Sequence, residues 1–277
     1  EQRPGAIITA IYESSGLVLC CLLFGCFALP WSAAAEENTA ALKPIRIGLT
    51  PVVMRNQQGM NEMFGNYMAK QIGRPVEMVQ RQTYRDIIKM LERNELDVAW
   101  ICGLPYIRNA NWIKLLAVPE NGFNASKPSY RALTIVSKTS EAKTMEDLRG
   151  SIFAFADIDS NSGHLVPSYQ LLQRGADEQS FFSLTFFTHA HNNVVRAVAE
   201  GMADAGSVDS YVFHVLQLEE PTLTDKVKVI VASEEFAFPP VVASKYMDAL
   251  LFQRLQHIFL ALHESVWVGN HKAASLG

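Results

Sequence analysis

The residues best suited to chemistry lie in one stretch, Asp157-Ile158-Asp159-Ser160-Asn161-Ser162-Gly163-His164, with Pro167 and Ser168 just beyond it. A short apolar run of β type, residues 151–156, precedes it, and a helical pattern, residues 169–175, follows. Where a strand ends in small hydroxyl and amide residues and a helix opens, unpaired backbone N–H groups and the positive end of the macrodipole make a ready anion site. Ser160, Asn161 and Ser162 add side-chain donors, Gly163 permits close approach to the backbone, and Pro167 suits a first helical turn. The same residues would serve equally as an ordinary serine N-cap. Two other groupings carry chemical residue types. Ser162, His191 and Asp209 are the types of a hydrolytic triad, but no Gly-x-Ser-x-Gly elbow surrounds Ser162. His189 and His191, two apart, would share one side of a strand, yet no carboxylate or thiolate stands beside them at ligand spacing. No metal or cofactor is expected.

Strands and helices alternate along the chain that must hold these residues. Ile45 to Leu49 reads as a strand ending at Thr50-Pro51, and residues 60–72 carry helical spacing as far as Gly73. A strand over 76–79 leads to a helix capped by Thr83, then to a buried-type strand over 96–101 that runs into Cys102-Gly103-Leu104-Pro105-Tyr106. A strand over 114–118, a polar loop over 119–128, a strand over 130–136 and a short capped helix over 144–150 come next. Beyond the chemical stretch, the spacing predicts an amphipathic helix over 194–199, strands over 203–209 and 227–232, and a terminal helix over 247–267 after Pro239-Pro240. Such alternation implies an α/β fold of mostly parallel sheets flanked by helices, with functional residues at the carboxyl ends of strands. Two lobes are natural for 277 residues, one from 43–128 plus 233–277 and the other from 129–232.

A formal charge of −4 gives no basic footprint, which argues against nucleic acid as a partner. Gly16 to Leu29 is an apolar run of signal-peptide length, and Ala33-x-Ala35 fits a cleavage site, so residues 1–35 read as an export signal. An uncleaved anchor and, from Leu23-Phe24-Gly25-Cys26, a lipidated form are the alternatives. Three of four cysteines lie in that run, leaving Cys102 alone, which suits a bacterial periplasm.

Several segments, in their order, resemble the periplasmic solute-binding proteins of phosphate, phosphite and phosphonate ABC importers. They are Gly48-Leu49-Thr50-Pro51, Leu96-Asp97-Val98-Ala99-Trp100, Gly103-Leu104-Pro105-Tyr106, Asp147-Leu148-Arg149-Gly150 and Asp159-Ser160-Asn161-Ser162-Gly163. His191-Asn192-Asn193-Val194-Val195-Arg196, Asp204-Ala205-Gly206-Ser207-Val208-Asp209 and Phe238-Pro239-Pro240 complete the series. The resemblance implies a type II periplasmic-binding-protein fold whose interlobe cleft holds a small oxyanion. It assigns the ligand contacts by position to Tyr84, Tyr106, Ser160, Asn161, Ser162, His191 and Asp209. It also implies an ABC permease as membrane partner and a monomeric, non-catalytic protein.

Each assigned residue has a plainer alternative. Tyr84 and Tyr106 could be half-buried packing residues, His191 a surface histidine near a helix start, and Asp209 the cap of a helix beginning near Ser210. As a ligand, His191 would be a charge-assisted donor, and Asp209 would accept a proton from a monoprotonated anion or pair with an amino group. Arg85, Arg131 and Arg196 are candidate counter-charges or solvated surface groups. Two positions depart from the family pattern: Asn161 stands where threonine is usual, and His191-Asn192 replaces His-Asp. Besides import, the same module could serve a sensory system.

Overall fold

In a computed structural model of the protein, residues 42–50, 58–120 and 128–262 are described. The export signal expected over residues 1–35, and the part of the terminal helix expected beyond residue 262, lie outside them. Twelve strands and nine helices are formed by the described residues. One five-stranded sheet has the order β2-β1-β3-β12-β4, from Val76–Gln80, Ile45–Leu49, Val98–Trp100, Val241–Ser244 and Ile113–Ala117. Another has the order β10-β6-β9-β7-β8, from Val227–Ala232, Ala132–Ser137, Ala205–Asp209, Ile152–Phe155 and Leu184–Phe187. In each sheet four strands run one way and a single strand, β12 or β6, runs against them. The mixed α/β architecture with mostly parallel strands is therefore as the alternation implied.

Side-chain alternation explains why helices cover both faces of each sheet. In the first sheet Val98 and Trp100 of β3 pack with Val241 and Ala243 of β12, while Ala99 and Val242 face the opposite cluster. In the second, Phe153 and Phe155 of β7 join an aromatic layer with Phe181 and Phe182, and Ala154 turns the other way. Helix α2 (Tyr84–Glu92) buries Tyr84, Ile87 and Leu91 at helical spacing, and Thr83 caps it by accepting from Asp86 N–H. Helix α6 (His191–Ala199) buries His191, Val194, Val195, Ala197 and Val198. It lies close to β9 because Gly206 has no side chain: a Cβ there would sit 2.4 Å from Val194 Cγ1 and 2.9 Å from Ala154 O.

The remaining helices are α1 (Gln58–Ile72), α3 (Gly103–Arg108), α4 (Val166–Leu172), α5 (Glu178–Phe181), α7 (Ser210–Glu219), α8 (Pro221–Thr224) and α9 (Ala249–Leu260). The chain passes from the first sheet to the second through β5 (Ser129–Tyr130) and returns through β11 (Phe236–Ala237). These two crossing segments pair antiparallel, Tyr130 opposite Phe236 and Ser129 opposite Ala237.

Several local expectations change. The run 130–136 is two strands, because the pairing breaks at Arg131, whose amide bonds to Ser210 Oγ. The segment that the strand over 96–101 runs into is helix α3. His189 and His191 do not share a strand: His189 has φ 60° and His191 opens α6. Among the described residues no three potential ligands cluster for a metal, and no helix is long and apolar enough to cross a membrane.

The close fit at Gly206 yields a prediction. Gly206→Ala should lower unfolding free energy by about 1–3 kcal/mol, since the added methyl overlaps a side chain and a strand carbonyl. Urea titration of the two proteins measures it, and an unchanged midpoint would show that α6 can lift from β9 at no cost.

Candidate functional site

Between β7 and α4 the chain does not enter an ordinary helix. Asn161–Leu165 form a π-helical turn, with Leu165 N–H donating to Ser160 O at 3.0 Å, and α4 follows with Pro167 in its first turn. Ser160 is the N-cap: its Oγ accepts from Gly163 N–H at 3.0 Å. Ala156 N–H donates to Gly163 O, folding the turn back on the strand that feeds it. What approaches Gly163 is the protein itself. A Cβ there would lie 2.5 Å from Ala156 Cβ and 3.0 Å from both His191 Cε1 and Ser160 Oγ. The glycine expected to admit a ligand admits an imidazole.

That imidazole is 1 % exposed, not on the surface. His191 Nδ1 accepts the backbone N–H of Asp209 at 3.1 Å, and Nε2 lies 3.4 Å from Ser160 Oγ. Because an amide can only donate, Nδ1 carries no proton and Nε2 does. Burial lowers the pKa from 6.5 to about 3. The ring is thus neutral and fixed in one tautomer, which corrects the expectation of a charged donor.

Asp209, also 1 % exposed, ends β9 and caps α7. Its Oδ1 accepts from Tyr211 N–H at 2.7 Å and Val212 N–H at 3.4 Å. Burial pushes its pKa up to about 7, against the lowering effect of those two bonds. After burial itself, Cys102 and then Asp157 raise the pKa of Tyr84 more than Asp209 does, and the Asp209 charge is a further raising cause at Cys102, Tyr130 and Tyr211.

Ser162 and Tyr84 are buried without their usual partners. Ser162 O accepts from Ser207 Oγ–H at 2.7 Å, but Ser162 Oγ has no hydrogen bond, and neither has the fully buried hydroxyl of Tyr84. Among the described residues these are the two buried side-chain polar atoms left unpaired. Leaving such a group unbonded costs about 1–3 kcal/mol, so each marks a position that the ligand-free fold alone does not account for.

Asn161 is committed to protein contacts. Its side-chain amide donates to Tyr130 OH at 2.9 Å and its backbone N–H to Cys102 Sγ at 3.3 Å. Tyr130, which sequence reasoning missed, therefore accepts at its oxygen, and its hydroxyl also bonds to Cys102 Sγ at 4.0 Å. It was concealed in what reads as one continuous strand, and the signal was its place at the crossing. Phe238 supports it edge-on at 6.2 Å, with Tyr211 edge-on to the same ring at 5.1 Å. Tyr106 is placed elsewhere: its half-buried ring packs on the Val79, Ile87 and Leu91 cluster. Arg85 pairs with Asp159, Arg131 with Glu235 and Arg196 with Glu220, so these three are not counter-charges of the cluster.

The geometry is a buried cluster of hydroxyl, imidazole and amide groups with two carboxyls, Asp157 and Asp209. A family model described as ABC transporter, phosphonate, periplasmic substrate-binding protein matches residues 47–276. The chain belongs to this family. Similar to it is the phosphonates-binding periplasmic protein of Escherichia coli (strain K12), 24 % identical over 245 residues, 86 % of this chain and 71 % of that one. Two solved structures share the fold. One is a binding protein component of an ABC phosphonate transporter from Pseudomonas aeruginosa, with TM-score 0.73 at 22 % identity over 81 % of this chain and 76 % of that one. The other is PhnD1 from Prochlorococcus marinus (MIT 9301) in complex with methylphosphonate, with TM-score 0.70 at 20 % identity over 80 % and 86 %. For this member of the phosphonate-binding family, the role is that of substrate-binding component of an ABC transporter.

The two perturbed groups predict opposite slopes of stability with pH. His191, lowered from 6.5 to about 3, supplies stability that is present above pH 6.5 and lost as pH falls toward 3. Asp209, raised from 3.8 to about 7, supplies stability present below pH 3.8 and lost as pH rises toward 7. His191→Gln should flatten the acid limb, and Asp209→Asn should remove the decline toward neutrality. Urea unfolding at stepped pH reads both, and unaltered slopes in either variant would contradict the assignment.

Proposed function

We propose that this protein captures a small phosphonate-class oxyanion between two lobes, one built on each five-stranded sheet, and delivers it to the membrane permease of an ABC importer. The lobes correspond to residues 43–128 plus 233–277 and to residues 129–232, and β5 with β11 forms the hinge. Export to the periplasm, by way of a signal over residues 1–35, accords with the curated relative being periplasmic. No catalytic role is assigned to any residue.

The observation that carries this function is the pair of unsatisfied hydroxyls, Tyr84 OH at the start of α2 and Ser162 Oγ in the π-helical turn. A tetrahedral oxyanion brings several acceptors at once and would satisfy both. Ser160 Oγ accepts from Gly163 N–H and lies 3.4 Å from His191 Nε2–H, so its own hydroxyl proton is a further donor to the oxyanion. Asp209 gives the site its selectivity. A fully ionised dianion would be repelled by a carboxylate, whereas a monoprotonated phosphoryl group can share its proton with it. The two capping bonds both use Oδ1, leaving Oδ2 for that proton. Direct hydrogen bonds and helix-start amides suffice to hold a small anion with no cation present.

Tyr84→Phe and Ser162→Ala should each weaken methylphosphonate binding by about 1–3 kcal/mol. The same variants should leave the ligand-free protein as stable as before or more so, because the deleted hydroxyls bond to nothing there. Calorimetric titration beside urea unfolding separates the two effects, and full affinity in both variants would remove these groups from the site. A thermal-shift screen with methylphosphonate, phosphite, phosphate, 2-aminoethylphosphonate and sulfate tests the class. A phosphorus oxyanion should raise the melting temperature by mass action, and no response to any of them would end the oxyanion proposal.

A further inference from the structure

The loop that opens the π-helical turn makes more bonds across to the first sheet's elements than anion binding requires. Asp159 lies between two arginines. Its Oδ2 accepts from Arg85 Nε at 2.7 Å and its Oδ1 from Arg108 Nη1 at 2.8 Å. Arg85 is in the first turn of α2 and Arg108 is the last residue of α3, so one carboxylate grips both helices that flank β3. Its side chain is only 11 % exposed, while the arginine side chains are 58 % and 56 % exposed. The neighbouring residues reach the same way. Asp157, 1 % exposed, accepts from the Tyr84 backbone N–H at the start of α2, and Asn161 N–H donates to Cys102 Sγ at the end of β3. Asp159 N–H donates to Asp157 Oδ1 at 2.8 Å, so the two carboxylates act from one tied loop.

We propose that this loop is a closure clasp, in which Asp159 with Arg85 and Arg108 holds the two lobes together and raises the affinity of the site without touching the ligand. The clasp rests on the two-lobed arrangement proposed above. A ligand that binds the closed form meets an affinity reduced by the fraction of time the protein spends open. Contacts made only when the lobes meet therefore set affinity from outside the site. Isolated surface ion pairs contribute little. Here one mostly buried carboxylate is shared by two guanidinium groups, and its removal leaves both cations facing an unmatched surface.

Small-angle scattering of the ligand-free protein tests the clasp, with Asp159→Asn, the double variant Arg85→Gln/Arg108→Gln, and Asp159→Glu as the conservative rescue. The first two should show a larger radius of gyration than the unaltered protein at low salt. They should also bind methylphosphonate about three- to ten-fold more weakly, mainly through faster release. High salt should expand the unaltered protein toward the variants and leave the variants unmoved. Asp159→Glu should restore much of both properties. The double variant keeps the loop intact, so it decides the matter if Asp159→Asn fails to fold. Scattering of the double variant identical to that of the unaltered protein would overturn the clasp. Failure of the unaltered protein to bind methylphosphonate would instead strike the proposed ligand, and the ligand-free scattering would still decide the clasp.

Discussion

A backbone amide fixes the proton of an imidazole, and the arrangement of the site depends on that bond. Asp209 N–H can only donate, so His191 Nδ1 can only accept and the ring proton sits on Nε2, toward Ser160. The bond joins the last residue of β9 to the first residue of α6, and it exists because Gly206 lets the helix lie against the strand. It also brings the ring against Gly163, where a side chain of any size would intrude. One hydrogen bond thus links strand, helix and π-helical turn, and its proton assignment makes the histidine a neutral donor.

Neutrality suits an anion-binding protein that must also release its cargo. A buried cation would hold an oxyanion strongly but would stand uncompensated whenever the site emptied. Hydroxyls and amides cost less to leave unpaired, and here the cost falls on Tyr84 and Ser162. The full charges of Arg85 and Arg108 are spent outside the cluster, on Asp159. The chain thereby keeps its unpaired hydroxyls apart from the paired charges of Asp159, Arg85 and Arg108.

Much of this was legible in the sequence because it depends on short-range rules. Alternating periodicity marked the strands of both sheets, Thr83 marked the start of α2, and the small polar residues after β7 marked the corner. What stayed hidden depends on distance. Tyr130 reads as part of a strand until Arg131 breaks the pairing, and β11 and β12 are short pieces on either side of Pro239-Pro240. The burial of His191 is set by Gly206 and Gly163, both remote in sequence, so position near a helix start suggested an exposed ring. Tyr106 stood at a strand end like Asp209, but it lies in α3 and its ring packs against a different core.

The departure from the family pattern at residue 161 has a physical account. Asn161 reaches Tyr130 OH with its side-chain amide, a longer reach than a threonine hydroxyl has, and its backbone amide is taken by Cys102. At residue 192 the side chain is occupied locally: Asn192 Oδ1 accepts from Asn193 N–H in the first turn of α6. An aspartate there would add a negative charge beside a helix start already close to Asp209. Asparagine keeps the local bond without that charge.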